Sequence, residues 1–171
     1  MAVVAGTAAL TSGFNQTVST GVVTTQTIPA SVSLTTQYAN GTAAGKVDLI
    51  HAKQYTLAGA ATTLDLTNLL DLSGASASLA RVRDLVVQVV TATGGFDLTL
   101  GNAASNAWAA FWGATGTDKV FAGTIRYFTD PTSVGAGVGA VVTGSSKNLK
   151  LDPGANTIVV NVIIAGCSAV S

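Results

Sequence analysis

The sequence contains no glutamate, and its first charged side chain is Lys46. Charged residues make up 9% of the chain, against roughly 25% in an average globular protein. The 8 basic and 8 acidic groups cancel, so the formal net charge is zero. Because a nucleic acid is bound largely through a basic surface, we expect no nucleic-acid partner. We interpret the shortage of charge as a sign that much of the surface is buried in an assembly.

Histidine and cysteine each occur once, as His51 and Cys167. Metal sites need several converging ligands, and the sequence has no EF-hand run. In a strand, the spacing of Asp48 and His51 places them on opposite faces, so His51 is expected to be partly buried and hydrogen-bonded. There is no Gly-x-Ser-x-Gly nucleophile motif. The sequence predicts no enzyme, no catalytic residue and no cofactor. Calcium is conceivable only through four aspartates: Asp65, Asp71, Asp97 and Asp118.

Long apolar runs and a basic leader are also lacking. The most apolar stretch, residues 158–166, is nine residues long and contains Asn161, whereas a membrane helix needs about 20 residues. The first residues carry no positive charge, unlike a secretory signal. We expect no membrane partner and no secretory signal, and export by lysis or by a specialised route stays open.

Threonine, valine and alternating apolar residues predict β-strands through most of the chain. Residues 157–164 alternate cleanly, and residues 82–91 are apolar on both faces, as in a central strand covered on both sides. Gly94-Gly95 is expected to join that strand to residues 96–100 as a hairpin. Asp152-Pro153-Gly154 predicts a turn. Residues 68–78 are expected to hold one helical turn, and residues 120–128 to form one strand.

About eight or nine short strands with frequent turns favour a β-sandwich. We predict a jelly roll of about eight strands, with an immunoglobulin-like sandwich as the alternative. The uncharged residues 1–30 are interpreted as an extended N-terminal arm, and residues 31–171 as the sandwich domain. An arm without charge suits docking on a neighbouring protein.

Three groups of residues are candidates for an interface. Arg81 and Arg83 share a strand face, where they form either a contact with a neighbour's carboxylates or an ordinary surface ion pair. Large aromatic residues on the loop 101–116 form either an intersubunit contact, a platform for a sugar, or a plug at one end of the sandwich. The full set of candidates, including the arm, is Phe14, Val22, Val23, Ile28, Arg81, Arg83, Trp108, Phe111 and Trp112.

Five segments of the chain, taken in order, carry a family pattern. They are KVDLIHAKQYTL (46–57), LDLT (64–67), LARVRDLVV (79–87), GNAASNAWA (101–109) and IVVNVIIAG (158–166). Together they resemble a family of short virion proteins of tailed bacteriophages, found among the head genes. The resemblance covers roughly residues 46–166, so the arm lies outside it, and it implies a β-sandwich that decorates or cements the capsid shell, commonly as a trimer.

The function expected from this resemblance is a structural one. The partners would be the major capsid protein and further copies of the chain in a homotrimer, on the outer surface of the virion, after synthesis in the host cytoplasm. The alternative is a phage tail or fibre module that binds host carbohydrate through Trp108 or Trp112. A surface filament subunit would need a secretion signal, and an enzyme is the least expected reading.

Overall fold

The computed structural model describes residues 16–20, 24–28, 39–71, 73–92, 96–113, 115–130 and 139–169. The chain divides into two compact units, Met1–Ala39 and Asn40–Ser171. The described residues contain strands, turns and bends but no helix. The strands of the two larger sheets pair antiparallel. The prediction of an all-β protein is confirmed, and the arrangement is consistent with a β-sandwich.

The first unit contains two short strands, β1 (Gln16–Thr20) and β2 (Thr24–Ile28). They pair antiparallel, with Gln16 opposite Ile28. The predicted boundary between arm and domain, after residue 30, lies outside the described residues. The role of residues 1–30 as an arm on a neighbouring protein stays a prediction.

The second unit holds two four-stranded sheets. A two-residue strand, β3 (Ala39–Asn40), lies at the boundary of the units. The remaining strands are β4 (Lys46–Val47), β5 (Leu49–Ala58), β6 (Thr62–Asp65), β7 (Leu69–Leu70), β8 (Ser76–Ala77), β9 (Arg81–Ala92), β10 (Leu98–Gly101), β11 (Thr117–Val120), β12 (Ile125–Thr129), β13 (Asn148–Asp152) and β14 (Thr157–Cys167). The first sheet has the order β11-β10-β13-β6, and the second sheet has the order β12-β9-β14-β5.

The eight strands of the two sheets pair in a nested order. β5 pairs with β14, β6 with β13, β9 with β12, and β10 with β11. Apart from β10 and β11, strands that follow each other in this set of eight lie in different sheets. The short pair β7–β8 is inserted in the connection from β6 to β9.

The core consists of the inward-facing side chains of both sheets. In β14, the alternate residues Ile158, Val160, Val162 and Ile164 are fully buried, as their alternation predicts. Leucines of β10 and β13 belong to the same cluster. Each such side chain contributes about 1.5–3 kcal/mol when it leaves water, so the two sheets are held together mainly by aliphatic packing.

One predicted pairing is wrong. β9 and β10 do not form a hairpin, because β9 pairs with β12 and β14 while β10 pairs with β11 and β13. A glycine-rich turn between two alternating segments looks the same in sequence whether the strands pair in one sheet or cross between two. The central position predicted for residues 82–91 is confirmed, since both edges of β9 are occupied. The predicted cover on both faces is wrong, because Val90 on the outward side is 41% exposed.

Two other local predictions are also wrong. Residues 68–71 and 73–78, the described part of this connection, hold the strand pair β7–β8 and no helical turn. Residues 120–128 are split, because the chain turns at Gly123, whose φ of 74° favours glycine, and then passes from β11 to β12 in the other sheet. The turn at Pro153 is confirmed, since Asp152 Oδ1 accepts a 2.9 Å hydrogen bond from the Gly154 N–H.

Candidate functional site

The aromatic residues of the loop 101–116 pack together against the core. Trp108 is 1% exposed, and its Nε1–H donates a 2.9 Å hydrogen bond to the Ala140 carbonyl. Its ring meets Phe111 edge-on at 5.2 Å, and Phe111 stacks on Phe128 at 5.2 Å. Trp108 therefore belongs to the core, and its ring offers no surface to a sugar. That the three aromatic residues plug one end of the sandwich stays a prediction. An interface role for the half-buried Phe111 and Trp112 stays a prediction.

Arg81 and Arg83 are buried, with exposures of 0% and 1%. The interpretation as an ordinary surface ion pair is therefore wrong. Arg81 Nη1 lies 3.5 Å from Asp130 Oδ2, and Arg83 reaches the carbonyls of Asp130 and Ala43, each at 3.4 Å. A contact of either arginine with a neighbour's carboxylates stays a prediction, but both guanidinium groups face groups of their own chain.

The interface candidates of the arm are not placed by the structure. Phe14, Val22 and Val23 lie outside the described residues. Ile28 is the last residue of β2 and stands opposite Gln16. Their predicted role stays a prediction.

His51 is hydrogen-bonded through both ring nitrogens, as expected for a partly buried histidine. Nδ1 lies 2.6 Å from the Leu70 carbonyl oxygen, and Nε2 lies 3.0 Å from the Tyr55 hydroxyl. Because a carbonyl only accepts, Nδ1 carries the proton and, in the neutral ring, Nε2 accepts from Tyr55. Asp48 instead binds the N–H and hydroxyl of Ser168. The two side chains therefore form no catalytic pair.

A pocket of about 330 Å³ lies beside His51, between the edge strands β5 and β6. Its lining includes Lys53, Tyr55, Asp65 and Asn68. Burial raises the pKa of Tyr55, which favours the neutral phenol. Asp65 is held by Lys147 at 2.5 Å and by the N–H and hydroxyl of Thr67. Among the described residues, no three His, Cys, Asp or Glu side chains are grouped to hold a metal ion.

Acid will remove part of the stability that Asp65 contributes. Burial raises its pKa, but the hydrogen bonds from Lys147 and Thr67 outweigh this effect and lower the pKa below 3.8. The contribution is thus present above the unfolded value and is lost as pH falls through the folded value. Thr67→Val should reduce the acid-dependent loss of stability below about pH 4, measured by urea unfolding at several pH values. Thr63→Val, at an exposed neighbouring threonine, should leave the pH profile unchanged, and equal profiles for all three proteins would contradict the assignment.

The outward side of the first sheet carries ion pairs, and we call it the charged face. Lys119 lies 2.6 Å from Asp97, and Lys150 lies 2.8 Å from Asp152. Together with the pair of Lys147 and Asp65, these charges cover all four strands. Its residues are Thr63, Asp65, Asp97, Thr99, Thr117, Lys119, Asn148, Lys150 and Asp152. Such a surface is well suited to remain in water.

The outward side of the second sheet has a different character, and we call it the amide face. A row of amides crosses it, because Gln54 Nε2 donates to Asn161 Oδ1 at 3.0 Å and Asn161 Nδ2 donates to Gln88 Oε1 at 3.1 Å. By register, the outward-facing residues are Ile50, Ala52, Gln54, Thr56, Ala58, Asp84, Val86, Gln88, Val90, Thr91, Ile125, Tyr127, Thr129, Thr157, Val159, Asn161, Ile163 and Ala165.

Asp84 is the only charged side chain among the residues of the amide face. Its carboxylate accepts a 3.0 Å hydrogen bond from the Tyr127 hydroxyl. Because the amides already form hydrogen bonds with one another, the face loses few hydrogen bonds when water is removed from it. The amide face can therefore be buried against another protein at a lower cost than the charged face.

The edges of the second sheet are less suited to association. Lys53 on β5 and Arg126 on β12 stand opposite the fully buried Val162 and Val87, so both point toward the interior side at an edge. Inward-pointing charges on edge strands discourage the addition of a further strand. A partner of this sheet is therefore expected on its face.

The described part of the chain contains no helix that is long and apolar enough to cross a membrane. Comparison of the chain with protein-family models, with curated proteins and with solved structures gave no significant match.

Proposed function

We propose that this chain is a structural virion protein that decorates the capsid shell of a tailed bacteriophage. The observation that supports this best is the contrast between the two sheets. Among the described residues, three ion pairs lie on the charged face and a fourth, Arg126 with Asp118, joins the edges of the two sheets, whereas the amide face has one carboxylate, already bonded to Tyr127. In the proposed assembly the amide face docks on the major capsid protein and the charged face points outward into solvent.

A jelly roll is the arrangement of the two sheets that we propose. The nested pairing of β5 with β14, β6 with β13, β9 with β12 and β10 with β11 supports it. A long hairpin that is rolled up into two sheets produces this order, as in the two Greek keys of a jelly roll. An immunoglobulin-like sandwich, in contrast, divides its strands as four and three in its constant form.

The proposed role is mechanical. Packaged DNA pushes the shell outward, and a protein bound across the seams between capsid subunits adds buried area that must be lost before the seams open. Each contact is modest, but many copies bound to one shell act together. The uncharged N-terminal segment adds backbone hydrogen bonds to a neighbour if it docks by strand addition. The proposed partners are the major capsid protein and further copies of this chain in a trimer.

A lysine on the amide face will weaken binding to the shell. Ile163→Lys places a charge beside Asn161, and a buried unpaired charge costs several kcal/mol. We expect binding to weaken by at least about 100-fold, measured by cosedimentation with empty shells assembled from the major capsid protein of the phage that encodes this chain. Ile163 is 36% exposed, so the isolated variant should still fold.

Thr63→Lys is the matched control, because Thr63 is exposed on the charged face. It should bind as the unmodified chain does. If the unmodified chain does not sediment with the shells, the proposed function is wrong. If it binds and both lysine variants bind equally well, the amide face is not the docking surface.

A further inference from the structure

Four large apolar side chains are exposed at one end of the two sheets. Val90, Phe96, Phe121 and Ile125 are between 41% and 54% exposed. We call them the apolar end. Large apolar side chains that are exposed together on a soluble domain mark a surface for association.

Backbone pairing brings these residues to the same end. Leu98 stands opposite Val120, so Phe96 and Phe121 lie just beyond the paired ends of β10 and β11. The turn after Phe121 is fixed to β9, since the Gly123 N–H donates to the Val89 carbonyl and the Val89 N–H donates to the Thr124 carbonyl, both at 3.1 Å. The apolar end therefore joins strands of both sheets.

Val90 is the extra residue of a β-bulge. The register of β9 and β14 passes from Val89 opposite Val160 to Thr91 opposite Val159, which leaves Val90 without a partner position. Bulges turn a side chain in a new direction and are common at functional edges. Here the bulge leaves a β-branched side chain exposed beside the turn of residues 121–124.

Charges of both signs surround the apolar end. Lys119 pairs with Asp97 at 2.6 Å, and Arg126 pairs with Asp118 at 3.3 Å. The four groups remain partly exposed, and their net charge is zero. An apolar centre with a polar rim is the usual anatomy of a protein interface.

We propose that the apolar end binds the same end of further copies of this chain, and that this contact forms the trimer. A rim with equal numbers of cations and anions is complementary to a rotated copy of itself, whereas a strongly charged partner would leave half of the rim unmatched. The inference deepens the proposed function, on which it rests, by assigning the contact between copies. It occupies the edge of the amide face at Val90 and Ile125 and leaves the amide row of Gln54, Asn161 and Gln88 free for the shell.

The area of the apolar end indicates how strong this contact is. Phe96 and Phe121 together expose roughly 200 Å² of side chain, taking about 200 Å² for each whole ring system. A standard interface needs about 800 Å² from each partner. The apolar end is thus the centre of a contact completed by the rim, and association should depend on protein concentration.

Sedimentation equilibrium of the full chain over a range of concentrations tests the proposal. The unmodified chain should associate reversibly, and Phe121→Asp should raise its dissociation constant at least about 30-fold. Phe96→Asp should act in the same direction. Leu70→Asp is the matched control, because Leu70 is 56% exposed on β7 and lies outside the apolar end; it should associate normally. Circular dichroism confirms that each variant is folded.

A chain that is monomeric at all concentrations, or aspartate variants that associate as the unmodified chain does, would overturn the proposal. Aspartate variants that keep their oligomeric state but lose shell binding would show the apolar end to be a shell contact instead, and would also overturn it. A chain that associates through Phe121 without binding any shell would support this inference while refuting the function as a decoration protein. The two failures are therefore distinguishable.

Discussion

Asp130→Ala will destabilise the fold by about 3–5 kcal/mol, because it leaves a buried guanidinium group without its carboxylate. Arg81 is fully buried, and Asp130 is 13% exposed at the side chain. The Coulombic attraction between the two groups offsets the cost of removing them from water only while both are present. Unfolding in urea, followed by circular dichroism, measures the loss.

An exposed ion pair supplies the control for this prediction. Asp97→Ala removes the partner of Lys119, whose side chain is 61% exposed, and should cost about 0–1 kcal/mol. A second variant, Arg81→Met with Asp130→Ala, removes both charges and should recover much of the loss, since apolar groups replace buried ion pairs well. A loss below 1 kcal/mol for Asp130→Ala alone would show that the buried arginine does not depend on this carboxylate.

The strands were predictable where the local pattern determines them. In β14 the alternation of aliphatic and polar residues gives both the strand and its buried face, because a side-chain period of two is specific to strands. In β9 two apolar faces indicated a central strand, and the structure places it between β12 and β14. Each of these conclusions uses only neighbours in the sequence.

The pairing of strands was not predictable, because it depends on residues far apart. Gly94-Gly95 and Gly123 both mark a change of direction, but neither shows whether the next strand joins the same sheet. β10 does not belong to the sheet that contains β9, and β12 does not belong to the sheet that contains β11. The bulge at Arg83, which is skipped where β9 pairs with β14, is equally invisible in the sequence. Thus Arg81 and Arg83 looked like surface residues although both are buried.

The candidate docking surface follows from this pairing. Gln54 and Asn161 are 107 residues apart, and Asn161 and Gln88 are 73 residues apart. No local pattern relates these three amides, and only the register of β5, β14 and β9 brings them into one row. The shortage of charge in the sequence predicts a surface that is buried in an assembly, but the sequence alone does not indicate which face is poor in charge.

Trp108→Ala will destabilise the fold by about 3–5 kcal/mol, the usual loss for a buried large aromatic residue. Trp108 packs against Phe111 and Trp112, with ring centres at 5.2 and 6.0 Å. Its Nε1–H also satisfies the Ala140 carbonyl, and Ala140 bridges to Arg81 at the start of β9. The substitution therefore leaves both a cavity and a carbonyl that lacks its donor.

Two further variants separate packing from hydrogen bonding at this position. Trp108→Phe keeps an aromatic ring but loses the donor, so it should cost less than Trp108→Ala and more than the roughly 0.5–1.5 kcal/mol of a typical hydrogen bond, because it also leaves part of the cavity. Trp112→Ala, at a half-buried position in the same cluster, should cost less than Trp108→Ala. Urea unfolding of the three variants ranks them. If Trp108→Ala costs no more than Trp112→Ala, Trp108 is not the main anchor of this loop in the core.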